Sequence, residues 1–214
     1  MTMPANADAT KPLEPRERVL EAAVRCFRRS GFHTASMQQI CAEARMSPGG
    51  VYRYFPSKEA IIEAIAEAER NRSRDYFGRI GLAESTLDGL IDTGCAYIRD
   101  AADEQQNSLC VEVLAEAQRN PRVKEMFQQN ADEVRSLLRG ALEAARGEGM
   151  VDPDIDLDTA ASVLLAIGDG LMARMPLEGE GAFERIEPGL RELVKRMLAP
   201  CPTKEAGTPS GQGR

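Results

Sequence analysis

Ser47-Pro48-Gly49-Gly50-Val51-Tyr52-Arg53-Tyr54-Phe55 is the stretch on which the reading of this chain turns. Ser47 can cap a helix, and Pro48 suits its first position, where the missing N–H costs nothing. Val51 and Phe55 stand four apart and can anchor one face to a core. That leaves Gly49, Gly50, Tyr52, Arg53 and Tyr54 on other faces. Those groups suit DNA: glycines admit close backbone approach, the helix dipole favours phosphate at its N-terminus, tyrosine hydroxyls meet phosphate oxygens, and arginine can read guanine edges. Just upstream, Ser36-Met37-Gln38-Gln39 has the Ser-x-x-Gln form of a capping box, with Met37, Ile40, Cys41 and Ala44 as the buried side of a short helix. Before it, Val19, Ala22, Ala23, Cys26 and Phe27 stripe a first helix ending at Gly31, a residue suited to a left-handed cap. Two short helices joined by a tight turn behind a stabilising helix describe a helix-turn-helix, whose second helix enters the major groove.

Working outward, Ser57 caps a longer helix through Ile61, Ile62 and Ile65 toward Phe77. Beyond Gly81, apolar stripes at helical spacing run over 86–100 (Leu87, Leu90, Ile91, Ile98) and 108–118 (Cys110, Val113, Leu114, Ala117). Asn120-Pro121 opens a long helix that stops at Gly147-Glu148-Gly149. The next starts at Asp156 or Asp158 and is expected to end before Pro176, and a last one runs from Phe183 to Leu198. No segment shows the β-branched alternation of a strand and no repeat is visible, so the fold class is all-α, with about nine helices. Residues 1–12 and 200–214 have the composition of disordered tails.

Composition excludes several functions. At 214 residues and 43% apolar content the chain can bury a real core, and no apolar run is long enough to span a membrane. The N-terminus lacks the apolar region of a secretory signal, and five cysteines (26, 41, 95, 110, 201) form no C-x-x-C pair, which points to reduced thiols in the cytoplasm. Cys26, Cys41 and Cys110 fall on apolar stripes and read as core. With one histidine, His33, the common triads and imidazole metal sites have little to draw on; no catalytic residue, metal site or cofactor is expected, and His33 receives no chemical role. The net charge of −7 argues against a nucleic-acid partner until its distribution is examined. Residues 11–60 hold nine Lys/Arg against five Glu, so a module of charge +4 precedes a remainder of −11. That asymmetry is expected when one end meets phosphate.

Gly-Phe-x-Thr-x-Ser-x-x-x-Ile-x-x-x-Ala (31–44), followed by Ser-Pro-Gly-Gly-Val-Tyr-Arg-Tyr-Phe-Pro-Ser-Lys-Glu (47–59), resembles the TetR family of transcriptional regulators over about residues 16–62. Leu-Ala-Glu-Ala-Gln-Arg-Asn-Pro (114–121) looks like its drug- and osmolyte-sensing branch. The resemblance implies a helix-turn-helix DNA-binding domain over 13–60 and a helical-bundle effector and dimerisation domain over 61–199. It implies a homodimer that reads a palindromic operator in double-stranded DNA, released by a small-molecule effector, with the long helix after Ser57 as a lever. By motif position, Tyr52, Tyr54 and Lys58 look like phosphate contacts, Gln38, Pro48 and Arg53 like groove-facing residues, and Thr34, Ser36 and Ser47 like cap or backbone contacts, with Gly49 beside them. A packed helix tyrosine is the alternative for Tyr54, and a solvated side chain the alternative for Arg53 and Gln38. Arg45 stands where the family usually has glycine. Either the turn differs, or Arg45 compensates with a phosphate contact.

The helix over 158–174 carries Ala160, Val163, Leu164, Ile167 and Leu171 on one side and Ala161, Leu165, Gly168 and Met172 on another, too wide an apolar arc for one wet face. It is expected to pack twice, with Ala161, Leu165, Gly168 and Met172, and Leu190, Leu193, Val194 and Met197 of the last helix, at a symmetric interface. The family's arrangement implies an effector pocket lined by Cys95, Tyr97, Cys110, Leu114, Phe127, Asn130, Leu165, Asp169 and Met172. Two alternatives stay open: a ligand-binding helical dimer whose helix-turn-helix does not bind DNA, and a carboxylate-dependent enzyme, for which only scattered acids are found.

Overall fold

The structure, a computed structural model, describes residues 14–78, 80, 85–102 and 108–201, without the side chains of residues 101, 102, 108, 110 and 176. The described residues form nine helices and no strand: α1 (Pro15–Ser30), α2 (Met37–Ala44), α3 (Pro48–Tyr52), α4 (Lys58–Phe77), α5 (Thr86–Ala102), α6 (Ser108–Ala117), α7 (Pro121–Gly147), α8 (Leu157–Glu178) and α9 (Ala182–Leu198). They group into two compact units. One takes the described residues up to Arg74 together with those over 101–132; the other takes those over 75–100 and from 133 to 201.

In the first unit the expected stripes meet. Val19, Ala22, Ala23, Cys26 and Phe27 of α1, Ile40, Cys41 and Ala44 of α2, Val51 of α3, Phe55, and Ile61, Ile62 and Ile65 of α4 form one buried cluster. Ala117 of α6 and Val123 of α7 join it, and Leu109, Val113 and Phe127 pack against it. The caps read from sequence are present. Ser36 Oγ accepts from Gln39 N at 3.2 Å while Ser36 N donates to Gln39 Oε1 at 2.8 Å. Ser47 Oγ accepts from Gly50 N and Ser57 Oγ from Ala60 N, both at 3.2 Å, and Asn120 Oδ1 accepts from Arg122 N at 3.1 Å. Each satisfies a donor that the first turn of a helix leaves unpaired. Gly31 differs from the expected left-handed cap. Its φ of 75° is positive, but ψ is 156°, an extended mirror conformation open essentially to glycine alone.

The turn between α2 and α3 does not differ from a left-handed one. Arg45 has φ 53° and ψ 44°, the one non-glycine among the described residues with positive φ. Arg45 N donates to Ala42 O at 3.1 Å and Met46 N to Cys41 O at 3.0 Å, closing α2. An L-residue held there costs roughly 1–2 kcal/mol.

The second unit encloses Leu87, Leu90, Ile91, Cys95, Tyr97 and Ile98 of α5, Val134, Leu138, Ala141, Leu142 and Ala145 of α7, and Phe183, Val194 and Leu198 of α9. Of the two candidates for the start of α8, Asp156 is the cap, its Oδ1 accepting from Thr159 N at 2.7 Å. The helix does not stop before Pro176: it runs to Glu178 and ends at Gly179, φ 86°. Pro176 has no N–H to give to the preceding turn, so α8 continues through it with one backbone hydrogen bond fewer. Of the expected C-terminal tail, Pro200 and Cys201 are described, and Cys201 N donates to Asp152 Oδ2 at 2.8 Å; the tails over 1–12 and 202–214 lie outside the described residues. No helix among the described residues is long and apolar enough to cross a membrane.

Candidate nucleic-acid interface

α3 is short, and its orientation follows from two anchors. Val51 is fully buried and Phe55 is 3% exposed, while Tyr54 N and Phe55 N both donate to Val51 O at 3.0 Å and carry the helix into a closing turn. With that face fixed, Tyr52 stands out at 49% exposure, and Arg53, Gln38, Ser47, Pro48 and Gly49 are exposed as well. A phenol hydroxyl, a guanidinium and a helix start are thus presented to solvent by one short segment. Tyr54 is half-buried against the core, with Arg53 over its ring at 5.5 Å. Thr34 and Ser36 are exposed on the preceding loop.

The charges around this surface sort by their commitments. Arg25 pairs with Glu43 at 2.8 Å and with Glu21 at 3.5 Å, and Arg29 reaches Glu43 at 3.5 Å. The hydrogen bond from Arg25 is the main reason that the Glu43 carboxyl is held below its usual range. Arg18 donates to Ala44 O at 3.0 Å, and Arg16 lies over the Phe55 ring.

Lys58 does not point outward. Its Nζ donates to Phe32 O at 2.6 Å, His33 O at 3.0 Å and Ala35 O at 2.9 Å, and sits 4.6 Å from the centre of the Phe32 ring. An ammonium has three protons to give, so in this arrangement none is left for a phosphate. The physical reason is the loop between α1 and α2: its carbonyls turn toward the first turn of α4 and would otherwise lack partners.

The same loop is gripped from α6. Phe32 N donates to Glu112 Oε2 at 2.9 Å. Glu116, 6% exposed, places Oε2 3.4 Å from His33 Nε2, and Arg119 Nη1 lies 2.7 Å from that same nitrogen. One ring nitrogen can accept from Arg119 or, when protonated, donate toward Glu116, but not both at once. Sequence reasoning missed this grip and gave His33 no part. The available signal was the spacing of Glu112 and Glu116, four apart on one face of a short helix.

The residues expected around an effector fall into both units. In the second, Cys95 and Tyr97 of α5 and Met172 of α8 are buried, and Tyr97 packs edge-on against Tyr76 and tilted against Phe77, at 5.4 Å each. Burial pushes the Cys95 thiol up, as it does Cys26. Leu165 and Asp169 are half-exposed, and burial raises the Asp169 carboxyl above its ordinary value. In the first, Phe127 packs against the core, Leu114 is 37% exposed, and Asn130 Oδ1 is buried without a hydrogen-bond partner among the described residues. The Cys110 side chain lies outside the described residues. Of the residues expected at a dimer interface, Ala161, Met172 and Val194 are enclosed by their own unit, so they have little surface left for a partner. Leu165, Gly168 and Leu190 are half-exposed, and Leu193 (67%) and Met197 (41%) stay open.

Comparison with known proteins agrees with this geometry. Residues 19–65 match the family described as "Bacterial regulatory proteins, tetR family", and residues 87–199 match "BetI-type transcriptional repressor, C-terminal". The chain is 30% identical to the HTH-type transcriptional regulator UidR of Escherichia coli (strain K12), over 88% of this chain and 95% of UidR. Among solved structures, Salmonella enterica GusR shares 34% identity at a TM-score of 0.70, covering 87% of this chain and 98% of its own. AibR, solved in complex with isovaleryl coenzyme A and operator DNA, shares the fold at a TM-score of 0.72 and 19% identity, over 85% of this chain and 98% of AibR. With its exposed α3 surface, its all-helical fold and matches that together span most of its length, the chain belongs to the TetR family of bacterial regulatory proteins.

Proposed function

We propose that this protein is a ligand-responsive transcriptional repressor that binds a palindromic operator as a homodimer and catalyses no reaction. The observation that carries the reading is the α3 surface: Tyr52 and Arg53 stand in solvent while Val51 and Phe55 of the same turn are buried. In this reading Tyr52 holds a phosphate, Arg53 reads a base edge in the major groove, and Gln38, Ser47, Pro48 and Gly49 line the approach, with Tyr54 supporting Arg53. Residues 13–60 form the DNA-binding domain and 61–199 the effector and dimerisation domain. Leu165, Gly168, Leu190, Leu193 and Met197 supply the interface, and an effector near Tyr97 and Asp169 shifts the dimer to a conformation that fits the operator less well. The relatives' names and the operator-bound AibR support this assignment of partners.

The test is a binding titration on a cognate duplex with Tyr52→Phe and Arg53→Ala. Tyr52→Phe is expected to weaken binding on every sequence alike. Arg53→Ala is expected to cost about 1–3 kcal/mol and to relax preference at one position of each half-site. Unchanged affinity in both variants would contradict the assignment.

A further inference from the structure

Arg45 joins two observations that do not explain each other. Its backbone is held in the left-handed region, at φ 53° and ψ 44°, where a side chain is a liability and glycine would be at ease. Its backbone closes α2, a task that glycine would do at less cost, while its side chain is exposed and makes no hydrogen bond, ion pair or ring contact among the described residues, so the side chain itself offsets none of that cost within the unit. The neighbouring cations behave otherwise: Arg18, Arg25, Arg29 and Lys58 all have protein partners. The Arg45 side chain therefore reads as retained for something outside the protein, since a strained residue whose side chain has no contact within the fold is of the kind that clusters at binding sites.

Its location says what that is. Arg45 sits in the turn that joins α2 to α3, two residues before Ser47 and on the way to the exposed Tyr52 and Arg53. When the second helix of such a pair enters the major groove, the turn before it lies at the groove's edge, against the sugar–phosphate backbone. The whole chain carries −7, so a phosphate contact there has to be made by a local, uncommitted cation.

We propose that Arg45 is a phosphate-binding residue of the operator interface, one that the chain holds at the expense of its own stability. The proposal rests on the DNA-binding reading above. Its test compares wild type with Arg45→Gly, Arg45→Asn and Arg45→Lys, measuring the urea midpoint and the salt dependence of binding to one selected duplex. Arg45→Gly and Arg45→Asn fit the left-handed turn, so both are expected to fold with a midpoint at or above wild type. Both should reduce the slope of log K against log salt by about 1.8 for a dimer, with affinity at 0.15 M salt lower by on the order of 30-fold. Arg45→Lys should keep most of the slope without the gain in midpoint. If the glycine variant binds as tightly and with the same slope as wild type, or is less stable than it, the proposal is wrong and the DNA-binding reading stands. If wild type itself shows no preference for any duplex, the broader reading fails first.

Discussion

Lys58 shows how a motif can place a charge without placing its partners. The motif places a cation at the start of α4, and the structure turns it onto three loop carbonyls. Removing it leaves those acceptors dependent on water and withdraws a cation from the Phe32 ring. Lys58→Ala is therefore expected to destabilise the protein by about 1–3 kcal/mol in urea denaturation, as for lost hydrogen bonds to a charged group. A Lys58→Ala protein as stable as wild type would return the lysine to the solvent-facing role. Tyr52, Arg53 and Val51 were legible because helical spacing alone decides which of them is buried. Lys58 was not, because its partners lie more than twenty residues away, and a spacing rule carries no information on where a distant loop's carbonyls point.

At the scale of elements, the helices themselves could be read from their caps and stripes, since Ser36, Ser47, Ser57 and Asn120 act locally and their hydrogen bonds close within three residues. The contacts between elements could not. That α6 reaches the α1–α2 loop through Glu112 and Glu116 depends on packing, as does the enclosure within their own unit of Ala161 and Met172 of α8 and Val194 of α9, which the apolar pattern assigns to a symmetric interface. Pro176 is a different case: a proline removes one backbone hydrogen bond to the preceding turn, which disfavours a helix without always ending it, and α8 runs two residues beyond it. The apolar residues that remain outside, Leu193 and Met197 of α9 with Leu165 of α8, carry the dimer prediction. Leu193 is 67% exposed in the single chain, so Leu193→Asp should leave folding cooperativity intact while shifting sedimentation from dimer to monomer. A variant that stays dimeric would place the interface elsewhere.

For the molecule as a whole, charge and fold answer different questions. The net −7 is a property of the sum and would steer the chain away from DNA at long range, while affinity is set by the few cations that reach phosphate. Arg18, Arg25, Arg29 and Lys58 have partners within the first unit, and on the proposed reading the α2–α3 turn and α3 make the contacts. A dimer doubles every such contact and ties them to one spacing, and this converts a weak helix into a specific reader. The most direct measurement is selection of bound duplexes from a random library by the full-length protein, followed by titration of the enriched sequence across salt. The account predicts an inverted repeat, one half-site per protomer, bound with an affinity that falls steeply as salt rises. A library that emerges without enrichment, or an enriched site with no two-fold symmetry, would contradict it.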